Sequence, residues 1–126
     1  MKLNFDSVTK DIIKFRDDRD WLQYHDPKNL VAAISIEAAE LQEIFLWLTA
    51  QEARALPNEK VKKVKEELAD IFICMTYLCH HFGIDLLEAV KSKIQQNIRK
   101  YPVEKAKGSN KKYTELQHLD KQNNEL

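Results

Sequence analysis

Apolar residues recur along this 126-residue chain with the period of an α-helix. Because each residue of a helix advances by about 100°, side chains three or four positions apart share one face. The pattern predicts four long helices, over residues 7–19, from Pro27 to about Leu48, over 58–81 and over 86–101. Asp6 or Ser7 is the predicted cap of the first helix, and Asp85 is the predicted cap of the fourth.

The breaks between these segments are few, since the chain has only two Gly and three Pro residues. No segment shows the alternation of apolar and polar residues that is typical of a half-buried strand. The sequence therefore predicts an all-α fold, a four-helix bundle within one domain over residues 1–116. Residues 117–126 are polar, with little to bury, and are predicted to be a disordered tail.

Two pairs of acidic residues interrupt the apolar faces of the second and third helices. Glu37 lies near the centre of one apolar stripe and Glu40 on its edge, while Glu67 and Asp70 lie beside the core stripe of the next helix. A carboxylate costs roughly several kcal/mol to desolvate, so on a packed face it is expected to be paired or bound to metal. Four converging carboxylates favour a hard divalent cation and the phosphates that such a cation binds.

Two other interpretations of the acidic pairs stay open at this point. Acids three residues apart are common on any solvated helix face. Lys63 and Lys65 are also close enough along the helix to be ion-pair partners of Glu67 and Glu66. A metal site is nevertheless favoured, because both pairs fall on apolar faces of consecutive helices.

The charge and cysteine content narrow the class of protein. Twenty basic and twenty acidic residues give no net charge and no strong attraction to a nucleic acid polymer, although a small anion held through metal remains possible. Cys74 and Cys79 are predicted to be free thiols, which indicates a reducing compartment, most simply the cytoplasm. Neither a signal peptide nor an apolar run long enough to span a bilayer is evident, so no membrane partner is expected.

The fourth helix carries polar side chains that suit an anionic ligand. Lys93, Asn97 and Lys100 follow one edge of an apolar stripe that ends at Tyr101. A cation and an amide beside an apolar face are able to contact phosphate oxygens or a sugar hydroxyl. A solvated lysine face explains the same spacing equally well.

Several segments together resemble one family. The chain resembles the MazG-type all-α nucleoside triphosphate pyrophosphohydrolases, and most of all their dCTP pyrophosphatase branch, over residues 5–116. The segments that carry the resemblance are DRDWLQYHDPKNL, EAAELQEIFLW, EELAD, SKIQQNIRKYP and KKYTEL. The metal motif of the family, ExxE followed later by ExxD, matches Glu37, Glu40, Glu67 and Asp70.

The resemblance implies a reaction and a cofactor. A nucleoside triphosphate would be hydrolysed to the monophosphate and pyrophosphate, with Mg²⁺ bound by the four acids. Glu37 or Glu40 would orient or deprotonate the attacking water. The resemblance also implies a homodimer, or a tetramer made of two dimers, that removes unwanted deoxynucleotides such as dCTP-like compounds.

The resemblance further assigns substrate contacts. Trp21 and Trp47 would stack on the base, and Lys93, Asn97 and Tyr101 would contact the phosphates or the sugar. For both tryptophans, packing in the core or between subunits is the alternative. A catalytically silent helical protein that binds nucleotides or other partners is the rival function.

This chain departs from the family pattern at three positions. Ile36 precedes Glu37, where the fuller pattern has a second acid. Cys74 stands four residues after the motif Asp, where the dCTP-preferring branch tends to have Tyr, and Ile12 replaces a His of the first helix. The resemblance therefore leaves the preferred base open.

Overall fold

The computed structural model describes residues 2–124, with side chains through residue 118. Helices follow one another along this part of the chain, and it contains no strand, which confirms the all-α prediction. The elements are α1 (Phe5–Asp17), a 3-10 turn (Trp21–Tyr24), α2 (Pro27–Phe45), α3 (Ala50–Arg54), α4 (Asn58–Phe82), α5 (Leu86–Lys100), α6 (Val103–Ala106) and α7 (Tyr113–Asn124).

The chain divides into two compact units, Met1–Ile84 and Asp85–Leu126. In the first unit α2 packs along α4, and α1 packs against α4 as well. The second unit consists of α5, α6 and α7. Helix α7 runs through most of the segment for which the sequence predicted a disordered tail, and residues 125 and 126 lie outside the described part. The domain boundary at residue 116 stays a prediction.

Polar caps fix where the long helices begin. Asn4 caps α1, so the predicted cap at Asp6 or Ser7 is wrong. The Asn4 side chain accepts a hydrogen bond from the Ser7 backbone N–H at 2.9 Å, and the Ser7 hydroxyl accepts one from the Asn4 N–H at 3.1 Å. Asp26 caps α2, which opens at Pro27, and Asp85 caps α5 as predicted.

Replacing Asn4 with Ala is expected to lower the free energy of unfolding by about 1 kcal/mol, because the first turn of α1 loses its side-chain acceptor. Urea denaturation of the variant and of the native chain measures this loss. Lys2→Ala, a change at an exposed residue without a capping bond, is the control and should leave the midpoint unchanged. Equal midpoints for Asn4→Ala and the native chain would show that this cap contributes nothing.

A small apolar core holds the helices of the first unit together. Ile12, Leu30 and Tyr77 are its buried members, one from each of α1, α2 and α4. Phe5 and Phe72 add an edge-to-face ring contact between α1 and α4, with centroids 5.8 Å apart. No side chain in the described part is completely buried. The core fixes the α2 and α4 pair that carries the acidic residues.

The structure tests two of the observations from which the compartment was predicted, the state of the cysteines and the lack of a membrane-spanning segment. Cys74 and Cys79 are free thiols, as predicted. Within residues 2–124, no single helix is both long and apolar enough to cross a membrane, and α4 and α5 meet that test only when they are taken together. Localisation in the cytoplasm stays a prediction.

Candidate active site

Three carboxylates from two helices meet in the first unit. Carboxylate oxygens of Glu37 on α2 and of Glu67 and Asp70 on α4 lie within 4.8 Å of one another. They meet because α2 and α4 pack side by side and because residues three apart on a helix are surface neighbours. Glu37 and Glu67 are half-buried, and Asp70 is exposed. The cluster is thus a partly shielded site with one open side.

Glu40 adjoins this group without belonging to its closest set. Its side chain is exposed, one helical turn after Glu37. Its carboxyl group nevertheless lies close enough to those of Glu37 and Glu67 to contribute to the raised pKa of both. All four acids singled out in the sequence therefore lie together. We call Glu37, Glu40, Glu67 and Asp70 the carboxylate cluster.

The electrostatics of the carboxylate cluster are unfavourable without a cation. Burial, followed by the close approach of the carboxyl groups of Glu40, Glu67 and Asp70, raises the pKa of Glu37 to about 7. Burial, together with the charges of Glu40 and Asp70, also raises the pKa of Glu67. The Oε2 atoms of Glu37 and Glu67 are buried and have no hydrogen-bond donor. Two buried oxygens without partners fit a site that is completed by a cation.

The donor set indicates which cation fits. All the ligand atoms are carboxylate oxygens, the hard donors that Mg²⁺ and similar divalent ions prefer. The alternative in which Lys63 neutralises Glu67 is not supported. The ion pairs found among the described residues are Lys14–Asp18 and Arg16–Asp17, and they involve none of the four acids.

In the absence of divalent cations, the protein is expected to lose stability as the pH rises from about 4.5 to about 7. The pKa of Glu37 lies near 4.5 in the unfolded chain and at about 7 in the folded chain. Between these values the folded state holds a proton that the unfolded state has released, so the folded state is favoured at the acidic end. Urea midpoints between pH 4.5 and pH 7.5 in EDTA measure the slope.

The slope is assigned to Glu37 by comparison of variants. Glu37→Gln should flatten the pH dependence relative to the native chain, because it removes the titrating group. Glu43→Gln, an exposed change on the same helix, should leave it as it was. Each variant removes one carboxyl group and keeps all the other titrating residues. Parallel slopes in the native chain and in Glu37→Gln would therefore contradict a raised pKa of Glu37.

The two tryptophans differ sharply in exposure. Trp47 follows the end of α2, is 91% exposed and has a φ of +65°. Trp21, in the 3-10 turn, is 42% exposed and contacts Phe15 edge to face, with centroids 5.7 Å apart. Core packing is thus excluded for Trp47 in the single chain. Contact with a base or with another subunit remains for Trp47.

The structure places a further group of side chains near Trp21. The ring of His25 lies 6.5 Å from that of Trp21 and 4.6 Å from that of Tyr77. Burial lowers the pKa of His25, with a smaller effect from Arg16, and its Nδ1 atom is buried without a partner. Sequence reasoning gave His25 and Tyr77 no functional role. Tyr77 follows Asp70 by seven residues, about two helical turns, which puts both on one side of α4, but no local pattern marked His25.

Arg16 and Cys74 also occupy positions that the sequence left unassigned. Arg16 is only 2% exposed, and its guanidinium contacts Asp17 at 2.7 Å and lies 5.9 Å from the centre of the Tyr77 ring. Arg16 lies four residues after Ile12, so the two side chains share one face of α1, and this spacing could have indicated that Arg16 is buried. The pKa of Cys74 is raised by burial and by the charges of Glu37 and Asp70, so its thiol borders the carboxylate cluster.

The remaining predicted substrate residues lie on or next to α5 in the second unit. Lys93 donates a hydrogen bond from Nζ to Oε1 of Gln96 at 2.8 Å, and Asn97 is exposed. Tyr101 contacts the ring of Tyr113 edge to face at 6.3 Å. Their roles in substrate binding stay predictions.

Known proteins match this chain over most of its length. A solved pyrophosphatase from Archaeoglobus fulgidus is 41% identical, with a TM-score of 0.73, and the match covers 80% of this chain and 99% of the archaeal one. Sequence and helical architecture therefore both relate this chain to the archaeal pyrophosphatase.

Mammalian relatives match with similar identity. Human dCTP pyrophosphatase 1 is 41% identical over 108 residues, which make up 83% of this chain and 63% of the human protein. The mouse protein of the same name is 39% identical over 105 residues, 82% of this chain and 62% of its own length. The chain thus spans less than two thirds of the length of these relatives.

The part of the chain that carries the four acids also matches a known sequence family. The family described as MazG-like matches residues 32–116. This range includes α2 from its second turn onward, the whole of α4 and the four members of the carboxylate cluster. With two thirds of its residues inside the matched range, the chain belongs to the MazG-like family.

Proposed function

We propose that the chain hydrolyses (deoxy)nucleoside triphosphates to the monophosphate and pyrophosphate in a reaction that depends on Mg²⁺. The carboxylate cluster, with its two buried and unpartnered oxygens, is the observation that carries the proposal. The names of the human, mouse and archaeal relatives, all pyrophosphatases, support the reaction class. The substrates that we favour are dCTP-like and other non-standard deoxynucleotides, so that the activity would clear them from the nucleotide pool.

Each member of the carboxylate cluster has a role in this proposal. Glu37, Glu40, Glu67 and Asp70 would hold Mg²⁺, which would neutralise charge on the triphosphate and make a nearby water more acidic. Glu37 or Glu40 would orient that water and accept its proton. The water oxygen would bond to the α phosphorus while the bond to the bridging oxygen of the β phosphate breaks. Pyrophosphate would leave with the bonding electrons.

The proposed substrate contacts come from the family resemblance and from exposure. An exposed indole such as that of Trp47 suits stacking on a base, and Trp21 would act in the same way. Stacking accepts any base, so it does not select dCTP. Lys93, Asn97 and Tyr101 are proposed to contact the phosphates or the sugar.

A homodimer or homotetramer is the proposed assembly. The core of the first unit has three buried apolar residues, and large apolar side chains are exposed in each unit. Such exposure is typical of surfaces that are covered in an oligomer. Examples are Ile36 and Leu68 in the first unit, and Leu87, Val90, Ile94 and Ile98 in the second.

An assay of pyrophosphate release across a panel of triphosphates tests the proposal. The panel should include the four common deoxynucleotides, their ribose counterparts and modified pyrimidines, each with Mg²⁺ and with EDTA. We expect pyrophosphate to be released only in the samples that contain Mg²⁺, and we expect the rates to differ among the deoxynucleotides. Binding of nucleotides without release under any condition would instead support the catalytically silent alternative.

A further inference from the structure

The indole of Trp21 contacts two other rings of the first unit. The ring centroids of Trp21 and Phe15 are 5.7 Å apart, and those of Trp21 and His25 are 6.5 Å apart. The ring planes meet at 78° and 60°, so neither neighbour lies parallel to the indole. Because 42% of Trp21 is exposed, the two contacts hold the ring while part of it stays open to a ligand.

The two neighbours of Trp21 differ in how firmly they are held. Phe15 is exposed, and it also contacts the guanidinium of Arg19, which lies 3.6 Å from the centre of the Phe15 ring. His25 is half-buried, and its ring lies 4.6 Å from that of Tyr77, a buried member of the core of the first unit. His25 therefore connects Trp21 to the core, whereas Phe15 belongs to the surface.

The backbone of His25 is held on both sides. Its N–H donates a hydrogen bond to the carbonyl oxygen of Leu22 at 3.1 Å, which closes the 3-10 turn. The next residue, Asp26, accepts a hydrogen bond from the Asn29 backbone N–H at 3.0 Å and so caps α2. His25 thus stands at the junction between the turn and α2, where its backbone has little freedom to shift.

The same contacts relate Trp21 to the carboxylate cluster. Tyr77 lies on α4, seven residues after Asp70 and roughly 10 Å further along the helix axis. Because α4 carries both residues, the contacts of His25 with Trp21 and Tyr77 fix the indole relative to the carboxylates. The base and the phosphates of a nucleotide are joined covalently, so a fixed separation of the groups that bind them favours one bound geometry.

Two observations favour a role of His25 through packing. Its Nδ1 atom is buried without a partner, so this atom is closed to a ligand. Among the described residues, the group of side chains able to hold a metal ion comprises Glu37, Glu67 and Asp70, and His25 is outside it. The ring of His25 is thus placed to support Trp21 rather than to bind metal.

We propose that His25 is a positioning residue, which holds the indole of Trp21 against the core so that a base stacks on an already ordered ring. This role rests on the base stacking of Trp21 under the proposed function, and it adds a residue to which the family resemblance gave no role. Ordering a loose side chain on binding weakens affinity about two- to tenfold. Loss of the His25 ring should therefore raise KM by this factor and leave kcat within about twofold, since stacking is equal in the ground and transition states.

Steady-state kinetics with the triphosphate that the panel shows to be preferred, together with the calorimetric Kd of the same nucleotide, test this role. His25→Ala should raise both constants about fivefold. His25→Phe removes both ring nitrogens but keeps an aromatic ring at the junction, so it should stay within about twofold of the native chain. Tyr24→Ala, a change at an exposed residue of the same turn, is the matched control and should leave both constants unchanged. If His25→Ala does not fold, His25→Leu, which has a similar volume without a planar ring, takes its place.

A double variant separates positioning from direct contact. Trp21→Ala with His25→Ala should have the KM of Trp21→Ala alone, because no indole is left to position. A further rise in KM in the double variant, or a fall in kcat of His25→Ala at unchanged KM, would show that His25 acts on the substrate itself and would overturn the proposal. Native KM and Kd in Trp21→Ala would overturn the stacking role and the positioning role together.

Fluorescence gives a readout that does not depend on turnover. The chain has two Trp residues, so in a Trp47→Phe background the emission comes from Trp21 alone. In this background His25→Ala should increase quenching by acrylamide about twofold, whereas His25→Phe and Tyr24→Ala should not. A lower Tm of His25→Ala with unchanged quenching would show a merely structural role and overturn the proposal. Absence of pyrophosphate release by the native chain would refute the proposed hydrolysis, and the Kd and the quenching would still decide the role of His25.

Discussion

Glu67→Gln is expected to lower kcat by about a thousandfold while the metal-free protein becomes no less stable. The variant removes one of three carboxylates whose oxygens lie within 4.8 Å of one another. Charge stabilisation through a metal contributes roughly several kcal/mol, and about 1.36 kcal/mol corresponds to a factor of ten in rate. In the native chain, burial and the charges of Glu40 and Asp70 raise the pKa of Glu67. The substitution relieves this repulsion, because glutamine carries no charge. Pyrophosphate release at saturating Mg²⁺ and thermal melts in EDTA measure both effects.

Glu66→Gln is the matched control, because it makes the same chemical change at the preceding residue, which is exposed and outside the carboxylate cluster. It should keep kcat within about twofold of the native value, as an exposed substitution away from the site. If Glu67→Gln retains native turnover at saturating Mg²⁺, Glu67 is not a metal ligand. If both variants lose turnover equally, the effect is one of helix charge and not of the site.

Trp47→Ala is expected to raise KM for every triphosphate by about tenfold or more, because stacking on a base contributes roughly 1 to 3 kcal/mol. Trp47→Phe should keep most of the affinity, since it retains an aromatic face. The melting temperature should change little, because Trp47 is 91% exposed. KM values across the triphosphate panel and melts of both variants provide the comparison.

Trp47→Gly gives a second test, through the backbone. Trp47 has a φ of +65°, a conformation that costs a residue with a Cβ atom about 1 to 2 kcal/mol and costs Gly almost nothing. The Gly variant should therefore melt at or above the native temperature while it loses affinity for nucleotide. A large fall in Tm together with a smaller mass in solution would show that Trp47 is a subunit contact instead.

The periodicity of apolar residues was sufficient to locate the long helices. The four long predicted segments correspond to α1, α2, α4 and α5, since 3.6-residue patterns, Pro27 and Asp85 are local signals. The predicted cap of α1 was wrong because Asn4, Asp6 and Ser7 are all good capping residues and only the local geometry selects among them. The short helices α3 and α6 were missed, as four or five residues are too few to show a period.

The carboxylate cluster was predictable because Glu37 and Glu67 each fall on an apolar face, where an unpaired acid is anomalous. The pKa of Glu37 was not predictable, since it depends on how closely α2 and α4 approach. His25 gave no signal, because its contact with Tyr77 joins a turn to a distant helix.

One ³¹P NMR spectrum of the products of a single reaction tests the central claim most directly. The sample would contain the full chain, Mg²⁺ and the triphosphate that the panel shows to be preferred. The account predicts monophosphate and pyrophosphate in equal amounts, with no turnover by Glu67→Gln. A diphosphate together with inorganic phosphate, or product formation by the variant at the native rate, would contradict it.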